Sequence, residues 1–354
     1  MLPLFAYLAK ESRNWDKPKP EKPHLNDWWK NEDWQNECNP VGKKNRSFKR
    51  SYRVSQRSHE NRDAAVRALI LYPMNALVED QLTRLRRALD SEAAREWFQN
   101  NRKGNRVYFG RYNGVTPVPG HEYTENRKPN GKKIKELLEA MEQMEESATR
   151  ASEHASQTSD DDVRFFFPRL DGSEMRCRWD MKDAPPDILI TNYSMLSIML
   201  MRNIDKDIFE KTQAWLNKDG SVFHLIVDEL HLYRGTSGTE VAYLLRLLLQ
   251  RLGLHPGHPK LRILASSASL EPDDPKSLEF LNQFFGAEWH SQQIIPGHLE
   301  PIPPIEGQEF IDAQPFIALA SAPEINNIDT LPETPVYNAC SQIVESETVQ
   351  ISAR

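Results

Sequence analysis

The stretch FHLIVDELHLYRGTSGTEVAYLLRLLLQRL, residues 223–252, decides the fold. Phe223 to Val227 form a short apolar run that breaks at Asp228 and Glu229. A run this short that follows no polar alternation predicts a strand buried on both faces. From Thr239 to Leu252 the period changes, and Val241, Leu244, Leu245, Leu248 and Leu252 make an apolar stripe at helical spacing. Buried strand, polar turn and amphipathic helix are the repeating unit of a parallel α/β sheet.

The unit recurs in both directions. Ala68-Leu69-Ile70-Leu71-Tyr72 is a compact run ended by Pro73, and Ala76–Leu89 follows with helical spacing. Asp187-Ile188-Leu189-Ile190-Thr191 comes after Pro185-Pro186, and Leu261–Ala265 supplies a fourth strand. The predicted class is α/β, a parallel sheet covered by helices on both faces. The opening MLPLFAYLAKESRNW reads as a short helix with Leu4 and Leu8 on one face.

Residues 11–62 are polar and aperiodic, and Trp28, Trp29 and Trp34 read as a local packing anchor rather than a binding platform. From His121 to Asp162 the chain is highly charged. Ile134, Leu137, Leu138, Met141 and Met144 predict a helix over Lys132–Arg150, and Ser152–Asp162 predicts a flexible loop. Residues 121–162 are therefore expected to be a solvated charged insertion. Past Pro301 the sequence is Pro-rich and weakly periodic.

Composition narrows the function classes. The 354 residues suit one large domain or two modest ones. A net charge of -6 gives no global basic footprint of the kind many DNA-binding domains carry. Cys38, Cys177 and Cys340 lack any CxxC spacing, which argues against a zinc site or disulfide framework and fits a reducing, cytoplasmic setting. No apolar stretch approaches the roughly 20 residues of a membrane span, so no membrane partner is expected.

Ligands of an open α/β sheet bind at the carboxyl ends of its strands. The polar residues found there are Pro73, Asn75 and Gln81; Thr191, Asn192 and Tyr193; Asp228, Glu229 and His231; and Ser266, Ser267 and Ser269. Asp228 is placed to hold Mg²⁺, and Glu229 to polarise a water that attacks a terminal phosphate. An acidic pair at a strand end is more often an ordinary cap, so this pair gains meaning from the sets around it.

Those sets carry a resemblance. YPMNALVEDQ (72–81), PPDILITNYSML (185–196), IVDELHLYRG (226–235) and SSASLE (266–271) resemble, in order, motif Ia, motif Ib, the DExH box and a variant SAT motif of superfamily 2 DEAD/DEAH-box helicases. The likeness spans about residues 64–305, the first RecA-like motor domain of that family. DELHLYRG followed by a long helix is similar to large bacterial DExH helicases, including the phage-defence kind found in Druantia systems.

The resemblance implies ATP and Mg²⁺ as cofactors. Asp228 would coordinate Mg²⁺, Glu229 would activate water, and His231 would couple nucleotide state to the strand surface. Ser267, Ala268 and Ser269 would link hydrolysis to movement. Pro73, Asn75, Ala76 and Gln81 resemble the strand-contacting turn. Arg111, Asn113, Gly114 and Thr116 of GRYNGVTPVPG resemble a second strand-contacting loop, with a plain hairpin turn an equal alternative. Thr191 and Asn192 would meet phosphates at a helix start. The implied partners are nucleic acid, DNA rather than RNA, and a second motor domain or other defence-system subunits.

Two departures qualify it. The triplet is Ser267-Ala268-Ser269, which keeps a hydroxyl. No G-K-S or G-K-T occurs; Gly42-Lys43-Lys44 and Gly131-Lys132-Lys133 lack the hydroxyl of a phosphate-binding loop. On the resemblance, LPLFAYLAKES matches the end of the helix after that loop. Residues 1–305 are then expected to be an N-terminally truncated motor domain, inactive alone, and 306–354 a Pro-rich linker to a second one. A degenerate module that binds nucleic acid or a partner without hydrolysis is the alternative. A metal-dependent nuclease using Asp228 and Glu229 would need further acidic and Lys residues that are not clustered here.

Overall fold

The computed structural model of the chain describes residues 2–20, 27–39, 50–158, 160–297, 314–321, 335 and 337–342. It divides into two compact units, residues 1–296 and 297–354. The first contains β1 (Ala68–Tyr72), β2 (Phe109–Tyr112), β3 (Ile188–Asn192), β4 (Phe223–Val227) and β5 (Leu261–Ala265). All pair in parallel, in the order β2-β3-β1-β4-β5. The helices of this unit are α1 (Leu2–Glu11), α2 (Glu32–Cys38), α3 (Asn75–Leu89), α4 (Glu92–Asn101), α5 (Gly131–Thr158), α6 (Arg178–Asp183), α7 (Tyr193–Met201), α8 (Lys206–Leu216), α9 (Gly235–Arg251) and α10 (Pro275–Phe285). The second unit holds α11 (Gln314–Ser321). Most of the expected linker, 306–354, lies outside the described residues.

The α/β class with helices on both faces is what forms. Every residue of β1 is buried because successive side chains point to opposite faces and both faces are covered. Leu69 and Leu71 pack with Leu189, Leu225 and Val227 under α7, α8, α9 and α10. Ala68, Ile70 and Tyr72 pack with Ile188 and Ile190 under α1, α3 and α4. Leu4 and Leu8 are the buried face of α1, as their spacing predicts.

Three local readings change. The segment around Gly110 is neither loop nor hairpin but the edge strand β2, paired to β3 from Phe109↔Ile188 to Tyr112↔Thr191. Only four residues long, with a glycine and an arginine inside, it carries no apolar run. Gly110 is required there because an added Cβ would lie 2.9 Å from both Met175 Cβ and Met181 Cε. Helix α9 begins at Gly235 rather than Thr239. Gly238, poor in intrinsic helix propensity, is needed in its first turns, since a Cβ would come within 2.1 Å of the Tyr233 carbonyl oxygen.

The third change concerns the charged insertion. Helix α5 runs through Thr158, so Ser152–Thr158 is helix and not loop, and Asp161–Phe166 is a 3₁₀ turn. Ser152, Ser156 and Thr158 return their hydroxyls to carbonyls one turn back at 2.8–2.9 Å. Ala151 and Ala155 are buried. Ile134, Leu137 and Met141 form a third core with Trp28, Trp29, Tyr52 and Trp179. Each such apolar side chain contributes about 1.5–3 kcal/mol on burial, enough to order a segment that reads as solvated. The tryptophans are thus the packing anchor expected of them. Arg53 fastens this layer, with its guanidinium on Asp180 (2.5 Å), Glu122 (2.8 Å) and Asp183.

Among the described residues no helix is long and apolar enough to cross a membrane. Cys38, Cys177 and Cys340 are free and buried.

Candidate functional site

The parallel sheet brings the ends of β1, β3, β4 and β5 to one edge, and the turn after β4 is held there by several hydrogen bonds. The Asp228 amide donates to the Leu71 carbonyl at 3.0 Å, which extends the pairing to β1 past the end of the strand. Glu229 then adopts a left-handed conformation, φ 51° and ψ 47°. For a non-glycine residue this costs about 1–3 kcal/mol and survives only where neighbours enforce it. Here the enforcement comes from the loop after β5. Leu230 N donates to Ser266 O at 2.8 Å, and Ser266 N donates to Val227 O at 3.1 Å. Glu229 N donates to Ser266 Oγ at 3.2 Å, and that hydroxyl donates to Asp228 Oδ1.

Two further contacts tie the same loops. His231 Nδ1 lies 3.2 Å from Glu229 Oε2 and 3.4 Å from the Ala268 amide. A single ring nitrogen cannot both donate to a carboxylate and accept from an N–H, so these contacts are alternatives set by the proton. Arg234 donates to Ser269 Oγ at 2.6 Å and lies over the Phe280 ring. Among the described residues Ser267 Oγ accepts from a local amide alone, that of Ser269, at 3.3 Å. The SAS triplet therefore meets the segment after β4 through Ala268 and Ser269, while the Asp228 carboxylate and the Glu229 amide meet Ser266.

Tyr72 and Tyr233 flank Asp228. Burial, and after it the Asp228 charge, pushes both phenols above their usual range, so both stay neutral. The Tyr233 hydroxyl is buried without a hydrogen-bond partner among the described residues.

The expected strand-contacting residues reach the same edge, with several side chains already engaged. The Thr191 hydroxyl is buried and donates to the Tyr112 carbonyl at 2.7 Å. Asn192 caps α7, its Oδ1 accepting from Met195 N at 2.8 Å. Asn113 and Thr116 are buried in a self-bonded turn, in which Thr116 Oγ1 donates to the Arg111 carbonyl and accepts from Asn113 N. Gly114 sits at the exposed tip, where a Cβ would meet nothing. Arg111 is ion-paired with Glu79 of α3, and desolvation lowers its pKa. Pro73 and Gln81 are half-buried, and Asn75 and Ala76 supply the first-turn backbone of α3. Among the described residues no side chain caps that helix, which leaves its first amides without a partner and suited to an anion.

Among the described residues no cluster of three or more His, Cys, Asp or Glu could cage a metal. Mg²⁺ needs no such cage, since one or two carboxylates with water and substrate phosphates suffice. Asp228, with one oxygen fixed by Ser266, fits that mode. Sequence reasoning missed the roles of Ser266 and Arg234. Both lie inside the quoted motifs, but only their partners reveal what they do.

Fold and site together define a parallel α/β domain whose acidic turn is laced to the next strand end. Among the known proteins similar to this chain are a Druantia protein and proteins named as helicases. Druantia protein DruE of Escherichia coli (strain UMEA 4076-1) is 34% identical in an alignment 235 positions long that covers 58% of this chain and 13% of that protein. The uncharacterized ATP-dependent helicase MJ1574 of Methanocaldococcus jannaschii is 30% identical over 153 residues, 43% of this chain and 20% of that protein. The chain thus spans well under a third of either relative. The crystal structure of DUF1998 helicase MrfA superposes on 64% of this chain and 23% of its own, with 19% identity and a TM-score of 0.32, too loose to add to the fold argument. No family model matches the chain.

Proposed function

We propose that this chain is the part of an ATP-dependent nucleic-acid helicase or translocase that carries the hydrolytic carboxylates, the first RecA-like motor domain of a DExH enzyme. The observation that supports it best is the left-handed turn at Glu229, held to the SAS loop by Ser266 and by the His231 contacts. Lys103, Val118 and Arg127 share the positive φ, but Glu229 combines it with a place on the ligand-binding edge of an α/β sheet, which favours a functional reading. The likeness to an ATP-dependent helicase points the same way.

Asp228 would hold Mg²⁺, whose charge stabilises the transferring phosphoryl group when bound. Glu229 orients and deprotonates the attacking water, and His231 reports its state to Ala268. The uncapped start of α3 (Asn75 and Ala76, with Pro73 and Gln81), the start of α7 (Thr191 and Asn192) and the turn Arg111–Thr116 form the strand surface. Thr191, Asn113 and Thr116 act there by shaping backbone, since their side chains are engaged. DNA is the proposed strand, a second motor domain or defence-system subunits the proposed partners, and the cytoplasm the proposed setting.

The absence of any G-K-S or G-K-T favours a second reading, a degenerate module that binds without hydrolysis. The two separate in one experiment. The 354-residue chain is expected to show no appreciable ATPase, because a phosphate loop contributes many hydrogen bonds to a charged ligand, each worth about 1.5–3 kcal/mol. The chain extended ahead of Leu2 by a G-x-G-K-T strand–loop–helix segment is expected to gain Mg²⁺-dependent, DNA-stimulated ATPase that Glu229→Gln abolishes. An extended chain that binds ATP without hydrolysing it would establish the degenerate reading. DNA-stimulated ATPase from the unextended chain, lost in Glu229→Gln, would overturn the expectation of inactivity.

A further inference from the structure

We propose that Ser266, the residue just before the SAS triplet, is a positioning residue that aims the Asp228 carboxylate at a divalent cation and holds Glu229 in its left-handed turn. The inference rests on the reading of Asp228 as the cation ligand and assigns a role outside the triplet.

A hydroxyl has one proton to give and two lone pairs to accept with. Ser266 gives its proton to Asp228 Oδ1 and accepts the Glu229 amide at 3.2 Å. One oxygen atom therefore fixes both the side chain that would face the cation and the backbone that carries the water-orienting carboxylate. Among the described residues Asp228 Oδ2 has no hydrogen bond, so the carboxylate is left with one oxygen fixed and one available. A metal-binding carboxylate oriented by a neighbouring donor is the usual arrangement around such ions.

The hydroxyl is not needed to hold the loops together. The backbone bonds Leu230 N to Ser266 O and Ser266 N to Val227 O join the two turns without it. Ser266 is also exposed, so removing its hydroxyl leaves no buried cavity. A serine whose hydroxyl did not position Asp228 would leave cation affinity unchanged when replaced by alanine. The triplet hydroxyls do not duplicate the role, because Ser267 accepts from Ser269 N and Ser269 accepts from Arg234.

The test is Mn²⁺ binding to the full 354-residue chain, followed by electron paramagnetic resonance of the free ion. Four variants are compared: Asp228→Asn, Ser266→Ala, Ser266→Thr and Ser267→Ala. Asp228→Asn is expected to remove the site. Ser266→Ala is expected to weaken Mn²⁺ about tenfold, the range seen when an outer partner of a metal ligand is lost. Ser266→Thr, which keeps the hydroxyl, restores affinity to within about threefold of wild type on that scale, and Ser267→Ala leaves it unchanged. Wild-type affinity in Ser266→Ala alongside loss in Asp228→Asn would overturn the role of Ser266 and leave the reading of Asp228 standing. No site in the wild type, or an undisturbed one in Asp228→Asn, would overturn that reading and the proposal with it.

Discussion

Two aspartates bracket the sheet and have opposite surroundings. Asp187 enters β3 at the amino edge, fully buried. Arg62 grips both its oxygens at 2.6 and 2.7 Å, Arg67 adds a bond at 2.9 Å, and the Tyr108 amide adds another at 2.8 Å. The rings of Trp15 and Trp215 cover the guanidiniums. Asp228 leaves β4 at the carboxyl edge, half-buried, bonded through its side chain to one hydroxyl and followed by a strained residue. Every lone pair satisfied makes a joint of the framework, whereas one oxygen left over makes a place for a ligand. Charge burial alone would rank Asp187 first; the oxygen left without a hydrogen bond among the described residues is what favours Asp228, the carboxylate proposed to hold the cation.

The largest expected effect tests that contrast directly. Asp187→Ala leaves buried guanidiniums without their counter-charge and should destabilise the chain by about 3–5 kcal/mol. Asp228→Asn should shift stability by no more than about 0.5 kcal/mol. Urea unfolding of the two variants side by side decides it, and equal losses would break the distinction.

A second, smaller effect is set by pH. Burial pushes the Asp187 carboxyl upward, but the charges of Arg62, Arg57 and Arg67 outweigh it and hold the group well below the usual carboxylate range. A depressed native pKa gives stability that is complete above the unfolded value, near about 3.9, and is lost as pH falls toward the native one. Urea midpoints should therefore drop below about pH 4, and Asp187→Asn should flatten that slope. An unchanged slope would assign acid sensitivity to other carboxylates.

The smallest effect lies at the other edge. At φ 51° glycine is unstrained and alanine is not. Glu229→Gly should be about 1 kcal/mol more stable than Glu229→Ala. Equal stability would mean that the turn relaxes without the glutamate and that the strain is not enforced by the Ser266 loop.

Much of this was legible in the sequence. β1, β3 and β4 stand out because strands covered on both faces are largely apolar. β5, the half-exposed edge strand with Arg262 inside it, stands out by its aliphatic positions, and the DELH and SSAS segments follow β4 and β5. β2 was hidden, since an edge strand of four residues needs no apolar run and Gly110 serves Met175 and Met181 rather than a turn. Ser152–Thr158 read as loop because serine competes for backbone in isolation. In the folded chain those hydroxyls return to their own helix, while Ala151 and Ala155 find cover.

The sequence by itself determined what is periodic: strand, helix, and the polar residues at each strand end. These depend on neighbours along the chain, which a period records. Only the tertiary structure decided what touches what. Strand order sets β5 beside β4, and so puts Ser266 against Asp228 and Arg234 against Ser269. The same folding gathers Trp28, Met141 and Trp179 into one core and rings Asp187 with arginines. A hydrogen bond between residues on different strands leaves no trace in the spacing of either, because it is created by the sheet that aligns them.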